Sequence, residues 1–216
     1  MRKVIQHVTR FGAFLALALA IGAAMAVTAD TQQDCFGTQG IGRIEACTKL
    51  LELPLPPAER SYAFAMRALA YSLQGRYELA ITDYDAAIEI APDFAIALNN
   101  RAWAYYKSGG IDKAEQDVAR ALELNPESPH ALDTRAHVRQ SKGDHPGALA
   151  DYEAAMRYGG TRMVKLYQCG LQAAGLFDGA LSGIQSEKLR SALETCVRNT
   201  GCDPLPADEE CRKLTS

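Results

Sequence analysis

Six cysteines and a cluster of histidines are the residues here whose types could do chemistry beyond packing. Cys35, Cys47, Cys169, Cys196, Cys202 and Cys211 are even in number, and no two form a C-x-x-C pair. That spacing excludes a dithiol redox motif and haem attachment, and it lacks the paired ligands that zinc requires. Disulfide formation is the chemistry they imply, and it belongs to an oxidising compartment. Apart from His7, the histidines are His130, His137 and His145. His130 and His137 can share a helix face, but a two-histidine metal site is usually spaced i, i+4 and needs further ligands. The two are expected to be exposed, with no metal and no cofactor. Serines and acids are scattered without a nucleophile motif, and no glycine-rich phosphate loop follows a strand. No catalytic residue is assigned, and the chain is not read as an enzyme.

The elements that position these residues begin after an export signal. Arg2, Lys3 and Arg10 form a basic region, Phe11 to Ile21 is an uncharged apolar run, and small residues follow at Ala24, Ala26 and Ala29. Residues 1–29 therefore read as a cleavable signal peptide, since the apolar run is short for a membrane span. All six cysteines lie downstream of it. No stable span is expected after cleavage. Removing this segment turns the net charge of −3 into 20 bases against 26 acids. A mildly acidic chain without a basic stripe is a poor partner for nucleic acid.

Beyond the signal, the sequence repeats itself every 34 residues. Gly75, Gly109 and Gly143 keep this period, as do Arg67, Arg101 and Arg135, then Ala68, Ala102 and Ala136. Ala80, Ala114 and Ala148 follow it, then Asp83, Asp117 and Asp151, then Ala87, Ala121 and Ala155. Apolar residues at helical spacing predict a first helix over Ala63 to Gln74 and Ala97 to Lys107, and a second over Tyr77 to Ile90. The glycine permits a left-handed turn between them. Alanines let the pair approach closely, tyrosines fill the gaps, and Pro92 and Pro126 end the units. The acids on these helices read as a solvated face.

These units resemble tetratricopeptide repeats. Ala68, Tyr71, Ala80, Tyr84, Ala87 and Pro92 fit the family pattern, as do Ala102, Tyr105, Ala114, Val118, Ala121 and Pro126. The third unit departs from it with Arg139 in the aromatic position and Gly160 in place of proline. The resemblance implies an all-α, right-handed helical-repeat solenoid of about three helix pairs, with units at 61–94, 95–128 and 129–160. It also implies a concave groove lined by the first helices, which would hold a protein or peptide. Asn99, Trp103, Tyr106, Asp133 and His137 are the groove residues expected on that basis. Trp103 and Tyr106 are its aromatic anchors, with packing between repeats as the alternative role for Trp103.

Capping segments flank the array. Residues 30–60 predict an N-terminal hairpin held by Cys35–Cys47, ahead of an extended break at Pro54, Pro56 and Pro57. Residues 161–216 predict a helical cap stapled by disulfides. Within them, 164–196 resemble the small peptidoglycan-binding domain: Val164, Tyr167, Gln168 and Leu171, a glycine-rich turn from Gly175 to Gly183, then Leu189 to Leu193. They depart from it at Ser182, Ser186 and Cys196. In that domain the two helices around the turn pack a core, which implies Cys169–Cys196 and leaves Cys202–Cys211. Val164, Tyr167, Leu171 and Ala174 share one helix face and could cap the last repeat; tethering to peptidoglycan is compatible with that role. The whole reads as a periplasmic or secreted, non-enzymatic scaffold for a protein or peptide. The alternative is a structural wall protein bound to peptidoglycan through 164–196.

Overall fold

The computed structural model describes residues 31–37, 41–199, 201–205 and 211, and the expected signal peptide lies outside them. Among the described residues there are helices and no strand. Residues 31–37 form α1, followed by α2 (Ile41–Leu51), α3 (Pro57–Leu73), α4 (Tyr77–Ile90), α5 (Ala95–Lys107) and α6 (Ile111–Leu124). Then come α7 (Pro129–Ser141), α8 (His145–Ala173) and α9 (Glu187–Cys196). No helix among them is long and apolar enough to cross a membrane. The chain divides into two compact units between Ala91 and Pro92.

Three antiparallel helix pairs carry the 34-residue pattern: α3 with α4, α5 with α6, and α7 with the first half of α8. Their turns rest on Gly75, Gly109 and Gly143 at φ 72°, 87° and 79°, where a side chain would be strained. Inside each pair the alanine columns are fully enclosed, as at Ala68 with Ala80 and Ala102 with Ala114. Tyr84, Val118 and Tyr152 fill the space that the alanines leave, each at 0% exposure.

The repeated acids do not form a solvated face. Asp83, Asp117 and Asp151 are buried, and each accepts a two-pronged ion pair from the repeat arginine sixteen residues earlier. The N–O distances are 2.7 or 2.8 Å in all three pairs. The planar guanidinium matches the carboxylate fork, so every pair is pinned by the same charge-assisted clamp. Arg139, the departure in the third unit, adds a second guanidinium to Asp151 at 2.7 Å.

In the first unit, the Cys35–Cys47 disulfide closes α1 on α2 as expected. Leu50, Ala46 and Ala63 make an apolar core there, with Leu55 and Met66 packed against it. The Phe36 ring meets Tyr62 edge-on at 4.7 Å. Helix α3 starts at Pro57, six residues before the expected Ala63. Proline at the first helical position loses no hydrogen bond, since that N–H has no partner inside a helix. The Arg60 guanidinium donates to the carbonyls of Leu51 and Leu53 at 3.3 and 2.9 Å, capping the end of α2.

In the second unit, α8 breaks at Gly160, whose φ of 63° and ψ of −160° lie outside the helical region. It stands where Pro92 and Pro126 stand in their repeats, so a backbone reversal replaces a proline stop. The half of α8 beyond it buries Val164, Tyr167 and Leu171, while Ala174, its C-cap, is exposed. Gln168 organises the loop that leads to α9. Its amide donates to Ser182 Oγ and the Ile184 carbonyl, both at 3.1 Å, and accepts from the Gly183 N–H at 2.9 Å. Ser186 caps α9 by accepting from the Leu189 N–H.

The two C-terminal disulfides are Cys169–Cys211 and Cys196–Cys202, not the expected Cys169–Cys196 and Cys202–Cys211. The reason is where α9 ends. The carbonyls of Cys196, Asn199 and Cys202 turn toward the Gln140 side chain on α7, at 3.3 to 3.4 Å. Cys196 is thus held against α7 and closes the short turn to Cys202, which leaves Cys169 for Cys211.

Candidate functional site

Helices α5 and α7 lie side by side in the second unit, and residues three or four positions apart along each form one stripe. On α5 these are Asn99, Trp103 and Tyr106; on α7 they are His130, Asp133, His137 and Gln140. The 34-residue register places Asn99, Asp133 and Tyr167 in one column, and Trp103 with His137 in the next. All five predicted groove residues therefore belong to one face. Not all of them are open.

Trp103 and Tyr106 are half-buried, with ring centroids 5.3 Å apart. His137 is 2% exposed, which overturns its expected solvent-facing role. Asp133 and Asn99 are buried as well. The His137 ring lies 5.2 Å from Trp103, 5.5 Å from Tyr106 and 5.4 Å from Tyr152. Tyr152 donates to Gln140 Oε1 at 2.9 Å, so its oxygen is free to accept from His137 Nδ1 at 3.1 Å. The opposite ring nitrogen, Nε2, faces Asp203 at 3.4 Å and Asp133 at 3.7 Å. Both carboxylates are within ion-pairing reach but off the line of a hydrogen bond. The Tyr167 hydroxyl donates to Asp133 Oδ1.

The electrostatics follow from that geometry. Burial alone would lower the His137 pKa, but the Asp133 and Asp203 carboxylates outweigh it and raise it above 6.5, against a smaller repulsion from Lys107. Asp133 is pushed up by burial, which outweighs the help of His137 and Tyr167. Burial also acts to raise Asp203, but its contacts with His137 bring it below 3.8. Burial, then the nearby acids, raise Tyr106 and lift Tyr152 and Tyr167 well above 10, so these phenols stay protonated as donors. The cluster is a closed network of charge and hydrogen bonds. Among the described residues, no His, Cys, Asp and Glu side chains gather as a metal would need.

Its lid is the chain's own C-terminal segment. Pro204 is fully buried, and the Asp203 side chain, 36% exposed, reaches His137. Leu205 N–H donates to Asp203 Oδ1 at 2.9 Å, fixing the turn that aims the carboxylate. Sequence reasoning missed Asp203 and Gln140 altogether. Gln140 was accessible to it, since it sits 34 residues after Tyr106 in the same column. No comparable signal marks Asp203.

One turn back along the stripe the face is open. A notch of about 160 Å³ is lined by Ile96, Asn99, Asn100, Asn125, Ser128 and His130, among others. Asn99 Nδ2 donates to Asn100 Oδ1 at 3.4 Å, while Asn99 Oδ1 is buried without a partner among the described residues.

Comparison with known proteins supports the repeat. Residues 68–109 match a family described as TPR repeat, and 95–128 match one described as tetratricopeptide repeat. The chain carries tetratricopeptide repeats in these residues. No curated protein matches it. Among solved structures, it is similar to the first TPR of Spaghetti (RPAP3) bound to an HSP90 peptide, at 26% identity over 47% of this chain and 80% of that one, with a TM-score of 0.45. MamA matches at 19% identity over 55% of this chain and 67% of that one, with a TM-score of 0.47. The Sgt2 TPR domain from Aspergillus fumigatus matches at 28% identity over 66% and 78%, with a TM-score of 0.45.

Proposed function

We propose that this protein is an exported, non-enzymatic scaffold whose α5–α7 face binds a peptide or protein segment in the cell envelope. The observation that carries this is the notch at Asn99 and Asn100. A side-chain amide offers a donor and an acceptor, the same pair that a peptide backbone offers, and the buried Asn99 Oδ1 has no partner among the described residues. A buried unpartnered acceptor is costly, and a peptide N–H would relieve it. Ile96, 67% exposed at the rim, supplies apolar contact beside it. Three disulfides support export, because such bonds persist in oxidising compartments.

The test is site-specific photocrosslinking from position 96 in intact cells of the source organism. The expected result is a discrete adduct with the mass of a second protein, lost in Asn99→Leu. An adduct with sacculi that depends on 164–196 would instead favour the wall-bound alternative. Unchanged crosslinking in Asn99→Leu would remove the notch from the argument.

A further inference from the structure

The notch and the His137 cluster lie on one continuous stripe, and only half of that stripe is occupied. On α5 it runs through Asn99, Trp103 and Tyr106, and on α7 through His130, Asp133, His137 and Gln140. The occupied half is filled by residues 203–205, which belong to no helix. Their features are those of a bound peptide: a carboxylate on His137, a fully buried proline directly after it, and a backbone carbonyl, that of Cys202, on Gln140. Half-buried aromatics, Trp103 and Tyr106, continue the surface toward the open notch.

We propose that residues 202–205 are an internal stand-in for the ligand, and that the partner is a peptide bearing an acidic side chain directly followed by proline or another compact apolar residue. This rests on the scaffold reading and specifies its ligand. The acid would take the place of Asp203 against His137, the apolar residue would fill the Pro204 site, and the flanking backbone would extend to Asn99. His137 selects for the acid because it already faces the buried Asp133. With Asp203 displaced and nothing in its place, the imidazole would lose the carboxylate that faces its Nε2 at 3.4 Å. Residues 203–205 lie in no helix and between two tethers, Cys196–Cys202 and Cys169–Cys211, so displacing them unravels no helix.

The experiment uses the full chain with Asp203→Ala and Pro204→Gly together, so that the segment stays tethered but no longer fills the site. The probe is a fluorescein-labelled synthetic peptide of residues 199–206 carrying Cys202→Ser, followed by fluorescence anisotropy. The cleared variant should bind it at least tenfold more tightly than the wild type. Adding His137→Ala should abolish that gain, and Asp203→Asn in the peptide should weaken binding at least fivefold. A folded variant that binds no better than the wild type would overturn the proposal. So would a variant that has lost its helical circular dichroism, since residues 203–205 would then be core. Neither failure touches crosslinking from position 96, which reports on the scaffold reading alone.

Discussion

At the N-terminal end of the described chain, Cys35–Cys47 closes a hairpin over the apolar cluster of Leu50, Ala63 and Met66, and the one buried charge on α2, Arg43, stays protonated across the ordinary pH range. At the C-terminal end, two disulfides bracket a segment whose Asp203 faces His137 and whose Cys202 carbonyl accepts from Gln140. The first closure relies on apolar area, whose worth hardly changes with pH. The second relies on groups whose charge must be right for the contact to hold. One end is sealed under any condition that keeps the protein folded; the other is sealed conditionally. The difference matches the roles proposed for them, a cap in one case and an occupied binding face in the other.

The comparison can be broken most forcefully at Leu50, 1% exposed in the apolar core. Leu50→Ala should cost about 3 kcal/mol by lost transfer energy and the cavity left behind. Urea unfolding should give the same loss at pH 6 and pH 9. A loss that changes with pH would mean that the N-terminal closure is not the inert one.

The repeat clamp offers a control common to both units. Arg67→Met should strand Asp83 in the first, and Arg101→Met should strand Asp117 in the second. With each arginine side chain 18% exposed, the penalty should be about 2 kcal/mol in either unit, below that of a fully buried pair. Equal losses would show that the units share one framework and differ only at their ends.

A smaller effect is expected at Gln140, which joins Tyr152 to the carbonyls of 196, 199 and 202. Gln140→Leu should cost about 1.5 kcal/mol through the acceptors and donor it leaves unpaired. It should also speed proteolysis within the C-terminal segment and leave the N-terminal hairpin intact. Equal proteolysis of both ends would contradict the separation.

The pH dependence is the finest test. His137 has its folded pKa raised above 6.5, so its contribution is fully present below 6.5 and is lost as pH rises through the raised value. Asp203 has the opposite sign: its contribution is present above 3.8 and lost as pH falls through its lowered folded value. Asp133, raised from 3.8 by burial, makes folding less favourable as pH climbs through its own raised value. Above 6.5, unfolding midpoints should therefore decline with pH. His137→Gln should flatten that decline, and a slope that survives the substitution would place the titrating group elsewhere.

Much of this fold was legible because repeat packing is written in local spacing. Gly75, Ala80 and Tyr84 recur or have counterparts at 34 residues, and each says what its own helix pair needs. The shared face of Asn99, Trp103 and His137 was legible for the same reason, since it follows from which helix comes first in a pair. Its occupancy was not legible. Asp203 reaches His137 across a separation that no period connects, and a short polar segment with two prolines gives no helical face to read. The C-terminal disulfides failed with it, because their pairing depends on where Gln140 anchors the end of α9. The Arg–Asp clamps were visible as columns, but charge on a helix is ordinarily solvated, and only the packing shows these acids enclosed.

Trp103 is the single tryptophan of the chain, and its ring sits 5.2 Å from that of His137. An indole that close to an imidazole loses emission when the imidazole is charged and regains it when the proton leaves. The protein thus carries its own optical probe at the centre of the contested face. Excited at the red edge of its absorption, where tyrosine is silent, the unlabelled protein should brighten as His137 discharges. Its emission colour should shift whenever residues 203–205 lift away and admit water.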